Sequence, residues 1–117
     1  MIVSNGVDIV SVNSLKNVSN YKKIFTLNEM NYFESHKSIQ TKAGVYAAKE
    51  AVLKSLGVAL NVYSLLLIEV VHINYKPFLK FYGELNEYIK KEGLEFSLSI
   101  SHDEDYAVAS VICYKVN

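Results

Sequence analysis

The sequence has no arginine and no tryptophan, and only one cysteine, one proline and five glycines among 117 residues. Each shortage narrows the field. Without arginine there is no bidentate guanidinium fork, so a phosphate or carboxylate is gripped by lysine ammonium groups and backbone N–H groups. A single cysteine, Cys113, excludes an internal disulfide framework and a thiolate metal cluster, and suits a cytoplasmic setting. No stretch approaches the roughly 18 apolar residues that span a bilayer, and the opening MIVSNGVDIV has neither a basic n-region nor a long apolar run. Twelve basic residues balance twelve acidic ones, so the overall field favours neither nucleic acid nor a membrane surface. Half the residues are hydrophobic, and repeats, linkers and low-complexity tracts are missing. One domain over residues 1–117 follows.

Hydrophobic periodicity predicts strands and helices arranged around one long central helix. Residues 2–10 read as a strand. Val3, Asn5, Val7 and Ile9 share one face, and Ser4, Gly6, Asp8 and Val10 share the other. The Asp8 face is small and open, with space beside the carboxylate. SVNSLKNVSNYKKIF follows as a helix or helical loop carrying Lys16, Lys22 and Lys23 and no acid. FTLNEM has a capping box, Thr26 with Glu29, and a staple of Phe25 with Met30, so a short helix runs through Ser35. Residues 41–56, closed by Gly57, form the central helix, apolar on nearly all sides and therefore in need of cover from neighbouring protein. LLLIEVVHI reads as a strand, NYKP as a turn into FLKFYG, and GELNEYIKKEG as an exposed helix ending at Gly93. FSLSISH and YAVASVICY make a hairpin around an acidic turn.

Two carboxylates stand out. Glu50 and Lys54 lie one turn apart on the central helix, which is the spacing of an ordinary surface ion pair. Small residues around Glu50 also permit close approach of another element. Asp8, inside a strand, either caps a turn, pairs with a lysine, or meets a cation together with Glu50. Two acids on separate elements suit a hard cation that keeps several waters and takes its other oxygens from substrate phosphates. His102 ends SLSISH at the mouth of the hairpin, as a structural residue or a ligand contact. His72 reads as structural.

GVDIV, AGVYAAKEAVLKSLG, KP and SLSISHDEDYAVASVI occur in an order that resembles the holo-acyl-carrier-protein synthases, the small 4′-phosphopantetheinyl transferases, over essentially the whole chain. That resemblance implies an α+β fold, a small antiparallel sheet packed against a long central helix, in a homotrimer with active sites between subunits. It implies Mg²⁺, with Mn²⁺ as an alternative, and transfer of the phosphopantetheine arm of coenzyme A to a serine of apo acyl carrier protein, in fatty acid biosynthesis. Asp8 and Glu50 match the metal-binding acids, and Glu50, directly or through a metal-bound water, is the candidate for receiving the serine proton. Lys54 matches the lysine on the coenzyme A phosphates, and His102 the histidine against the same ligand. Gly57 and Pro77 match backbone positions lining the site, and Lys37 a contact to the 3′-phosphate. Residues 12–23 correspond to the basic helix that docks the carrier protein.

The chain departs from the family pattern at several places. AGVYAAKE replaces the usual AGRFAAKE, so Val45 stands for an arginine. LGVAL replaces LGTG, placing Val58 and Ala59 beside the phosphates, and Tyr75 stands where glycine is usual. Two alternatives follow: a coenzyme A-binding or assembly module that no longer transfers, and a metal-dependent phosphohydrolase using the same acids.

Overall fold

Alternating Val and Ile residues make β1 (Ile2–Ser11) the longest early element, and it runs straight into a short helix, α1 (Val12–Lys16). The computed structural model describes residues 1–58 and 63–116, so Ala59 lies outside the described residues. The expected helix or helical loop after β1 is divided: α1 ends at Lys16, and a 3₁₀ turn covers Tyr21–Lys23. α2 (Leu27–Ser35) begins with the predicted capping box. α3 (Ile39–Leu56) starts two residues earlier than its apolar pattern indicated, because the Ser38 hydroxyl accepts the Thr41 N–H. It stops at Gly57, whose φ of 69° lets the N–H groups of Gly57 and Val58 turn back to Lys54 O and Leu53 O.

β2 (Ile68–Ile73) and β3 (Lys76–Phe81) form a hairpin of their own. Leu65–Leu67, expected within the strand, is a 3₁₀ turn instead, capped by Ser64. The hairpin turn places Asn74 and Tyr75 at φ 50° and 68°, a geometry that favours Asn-Gly. Tyrosine at the second position is therefore strained, and its side chain is almost fully exposed. α4 (Gly83–Glu92) is not wholly exposed as expected: Leu85 and Ile89 are buried on its inner face. β4 (Leu94–His102) and β5 (Tyr106–Lys115) complete a three-stranded antiparallel sheet of order β1-β5-β4.

α3 lies across this sheet, and eleven of its eighteen residues are buried. Contact is close because both partners are small. A Cβ on Gly6 would sit 2.1 Å from Ala51 O, and one on Gly44 would meet Ile100 at 2.8 Å. The small face of β1 is thus filled by helix backbone, and the open space expected beside Asp8 is reduced to the surroundings of the carboxylate itself. Cover for α3 comes from its own chain. Apolar surface left uncovered includes the outer face of the sheet, where Val7 is 49%, Ile9 64% and Ile112 40% exposed.

Candidate functional site

β1 and α3 bring the predicted acids together. Asp8 points at α3, and its Oδ1 accepts the Lys54 ammonium at 2.9 Å, while Lys54 also donates to Val7 O at 3.2 Å. Lys54 is half exposed, so this ion pair contributes little stability. Asp8 Oδ2 is buried and has no hydrogen-bond partner. Glu50, one turn before Lys54, is buried. Burial pushes its carboxyl above the usual range, and the nearby Asp8 charge adds to the rise; a hydrogen bond from Tyr46 and the Lys54 charge oppose it. Two mutually repelling carboxylates with an unpartnered oxygen fit a hard divalent cation. Among the described residues no group of three or more His, Cys, Asp and Glu converges, so this protein offers such a cation two acids and leaves the rest to water or ligand.

Sequence reasoning passed over Tyr46. Its hydroxyl is pushed up to about 12 by burial, by Glu50 and by Asp8, so it stays protonated and serves as a donor to Glu50. The family motif has phenylalanine here, and the VY in AGVYAAKE was the available signal.

On another side of α3 lies a cavity of about 210 Å³, walled by Tyr32, Val45, His72, Tyr75, Pro77 and His102 among others. Val45 and Glu50 are five residues apart, about 140° around the helix, so the two regions do not merge within one chain. Asp8, Glu50 and Lys54 are together; His102 and Pro77 are together; the two sets are separate. Gly57 ends α3 one turn beyond Lys54, on the acid side. Lys37 joins neither set and lines a different cavity with Met30, Phe33, Glu34 and Lys42. His72 does line the imidazole cavity. Its ring stacks on Tyr32 at 4.0 Å, Tyr32 stacks on His36 at 4.0 Å, and all three planes are nearly parallel. His72 Nδ1 is buried without a partner.

A buried polar cluster braces the framework between these regions. The Lys49 ammonium pairs with Glu29 and donates to Ile24 O at 2.7 Å and Leu65 O at 3.2 Å. Glu29 also accepts the Val70 N–H at 2.7 Å. Burial raises the Glu29 carboxyl and lowers the Lys49 ammonium, and each partner's charge opposes the shift of the other. Glu69 accepts from Thr26 at 2.6 Å and Tyr82 at 2.8 Å. The capping box announced Glu29, but nothing local announced that the same carboxylate would reach Val70 and Lys49.

These features define a small α+β protein with a paired-acid site on one side of its central helix and an aromatic, imidazole-bearing cavity on another. Residues 4–111 match the model of the 4′-phosphopantetheinyl transferase superfamily, and the chain belongs to that family. It is 37% identical to the holo-[acyl-carrier-protein] synthase of Clostridium tetani over 93% of each chain, and 34% identical to that of Finegoldia magna over 96% of each. Among solved structures it resembles the holo-(acyl-carrier-protein) synthase of Bacillus anthracis in complex with CoA (3′,5′-ADP). That match has a TM-score of 0.84 and 32% identity, and covers 99% of both chains.

Proposed function

We infer that this protein transfers the 4′-phosphopantetheine arm of coenzyme A to a serine of apo acyl carrier protein, giving the holo carrier protein and adenosine 3′,5′-bisphosphate. The observation that carries this reading is the partnerless, buried Asp8 Oδ2 beside Glu50 and Lys54, in a chain of this family. A divalent cation, Mg²⁺ or Mn²⁺, held by Asp8 and Glu50 would supply charge neutralisation at the pyrophosphate. Glu50 accepts the serine proton as the hydroxyl attacks the β-phosphate, and a carboxyl raised by burial is a better base for that step than an exposed one. Tyr46 holds the Glu50 carboxylate in place. Lys54 exchanges Asp8 for phosphate oxygens and offsets charge on the departing bisphosphate; its exposed, flexible stem allows that movement.

His102, Pro77 and Gly57 line the coenzyme A site in this reading. Because the acid set and the imidazole set lie on different sides of α3, one protomer supplies the acids and a neighbour supplies the imidazole cavity. The exposed apolar face of β1 and β5 supports such an assembly, a homotrimer. Lys16, Lys22 and Lys23, all exposed, form the docking patch for the acidic carrier protein. Lys42, lying over the Tyr21 ring at 5.1 Å, extends that patch. No helix of the described residues is long and apolar enough to cross a membrane, and the reaction places the protein in the cytoplasm, serving fatty acid biosynthesis.

Incubation with coenzyme A, Mg²⁺ and apo carrier protein, followed by mass spectrometry of the carrier, tests the reading. A phosphopantetheine adduct is expected. Coenzyme A binding with no adduct would instead establish the non-transferring module, which Val45 and Tyr75 in the cavity wall favour. Phosphate release from coenzyme A with an unchanged carrier would establish a hydrolase.

A further inference from the structure

Among the described residues, two buried side-chain polar atoms lack a hydrogen-bond partner, and each belongs to a different side of α3. Asp8 Oδ2 is accounted for by the cation site. His72 Nδ1 is not, and buried polar atoms are otherwise paired almost without exception. The lysines of the described residues lie outside its cavity. Lys49 is buried against Glu29, Lys54 pairs with Asp8 on the acid side, Lys37 and Lys42 face a different cavity, and Lys76, next to Pro77, lines another with Phe78 and Phe96. The chain has no arginine, and Val45 occupies the wall position where the family motif has one. No lysine, aspartate or glutamate lines the cavity among the described residues, so the groups in its wall able to carry positive charge are the imidazoles of His72 and His102.

The His72 ring is also fixed before any ligand arrives. It is one end of the His36–Tyr32–His72 stack, and His36 is itself held by contacts of its Nδ1 to Tyr32 O and Ser35 Oγ, both 3.1 Å. Across the hairpin His72 is in register with Pro77, which rigidifies the other wall. A pre-oriented ring loses little entropy when it binds.

We propose that His72, with His102, recognises the 3′-phosphate of coenzyme A in this protein, so that imidazole replaces the missing guanidinium and the grip on that phosphate depends on pH. The proposal rests on the coenzyme A reading above and assigns a ligand contact to a residue that looked structural. The titratable groups facing His72 are Tyr32 from α2 and His36 just after it, Tyr75 from the turn and His102 from β4; Gln40 and Thr41 from α3 and Pro77 from β3 are neutral. Burial, and then the charge of His36, hold the His72 imidazole below its usual range in the free protein. A bound phosphate dianion favours the protonated ring. Binding therefore takes up a proton, and affinity falls as pH rises from the free-protein value of His72 to its higher value in the complex.

Isothermal titration calorimetry of the full chain with coenzyme A and with dephospho-coenzyme A, which lacks the 3′-phosphate, tests this between pH 6.5 and 8.5. Above about pH 6.5 the phosphate itself is mostly a dianion, so its own titration does not confuse the result. Coenzyme A is expected to bind progressively more weakly as pH rises, with a limiting slope of about tenfold per pH unit for one linked proton, while dephospho-coenzyme A changes little. His72→Phe, which keeps a ring on the stack, should flatten the coenzyme A profile and bring its Kd close to that of dephospho-coenzyme A. Parallel profiles for the two ligands in the wild type, or an unchanged slope in His72→Phe, overturn the proposal while leaving the transfer reading intact. Failure of both ligands to bind at any pH overturns both. The wild-type comparison of the two ligands decides the matter even if the variant does not fold.

Discussion

The acid side of α3 and its imidazole side are built on opposite plans. On the acid side, a strand is pressed against the helix so tightly that Gly6 has no room for a Cβ, and the charges face one another across that contact. On the imidazole side, α2, the β2–β3 hairpin and β4 surround an opening whose described walls carry no ionisable side chain besides histidine and tyrosine. The first region stores repulsion between carboxylates; the second stores order, in a stack of three rings. Chemistry at a pyrophosphate needs the former, and recognition of the nucleotide end needs the latter.

The largest expected effect removes the acid side alone. Glu50→Gln should lower the transfer rate by about 10²–10⁴-fold, the range for loss of a positioned acid–base group, while coenzyme A still binds at the imidazole side. Rate and Kd measured on the same preparation check this. Near-normal transfer in Glu50→Gln would remove Glu50 from the mechanism.

Breaking the brace should instead weaken both sides together. Lys49→Met leaves Glu29 buried without its cation, at a cost of about 3–5 kcal/mol. Glu29, already raised by burial, rises further without Lys49, so the folded variant holds a proton there more tightly than the unfolded chain does. The variant should therefore lose stability as pH rises, and urea denaturation at pH 5 and pH 7.5 should show the smaller loss at pH 5. Equal losses at both pH values would mean that the pair contributes through packing and not through charge.

How much of this was legible in the sequence follows the same division. GVDIV and KEAVLK sit on regular elements, so alternation and the helical repeat place Asp8 and Glu50 on inward faces with Lys54 one turn beyond Glu50, and the family motifs tie them together. The hairpin, the capping box and the Gly57 stop were equally readable, because each rests on local chemistry within a few residues. The imidazole side was half legible: His102 and Pro77 sit in motifs, but the stack joins His36, Tyr32 and His72 from segments 40 residues apart, and sequence spacing carries no sign of it. Lys37 was selected and its neighbour His36 was not, since charge is visible in a sequence and ring orientation is not. The cover of α3 was misjudged for a related reason: apolar residues all round the helix do not say whether the cover comes from the same chain.

A smaller effect isolates the strand–helix contact. Gly6→Ala places a methyl 2.1 Å from Ala51 O and 2.7 Å from Ser55 N, both backbone atoms of α3, so β1 must move away. Overpacking of this kind costs about 1–3 kcal/mol. The displacement should weaken Mn²⁺ binding, read by electron paramagnetic resonance, and leave the Kd for dephospho-coenzyme A within about twofold if the two sides are as independent as their placement on α3 indicates. Equal weakening of both ligands would show that α3 couples them.

The smallest effect concerns stability at the acid side itself. In the folded protein Glu50 is raised above its ordinary value of 4.5, chiefly by burial, so the folded chain holds that proton more tightly than the unfolded chain does. The stability this gives is present below the unfolded value and is lost as pH rises through the folded one. Glu50→Gln carries no such dependence, so at pH 7.5 without divalent cation it should melt slightly above the wild type, and below pH 4.5 the advantage should vanish. Adding Mg²⁺ should reverse the order, because a cation that binds only the folded wild type raises its melting temperature and has half of its protein ligands missing in the variant. If Mg²⁺ shifts both proteins equally, Glu50 is not a ligand, and the repulsion between the two acids serves something other than a cation.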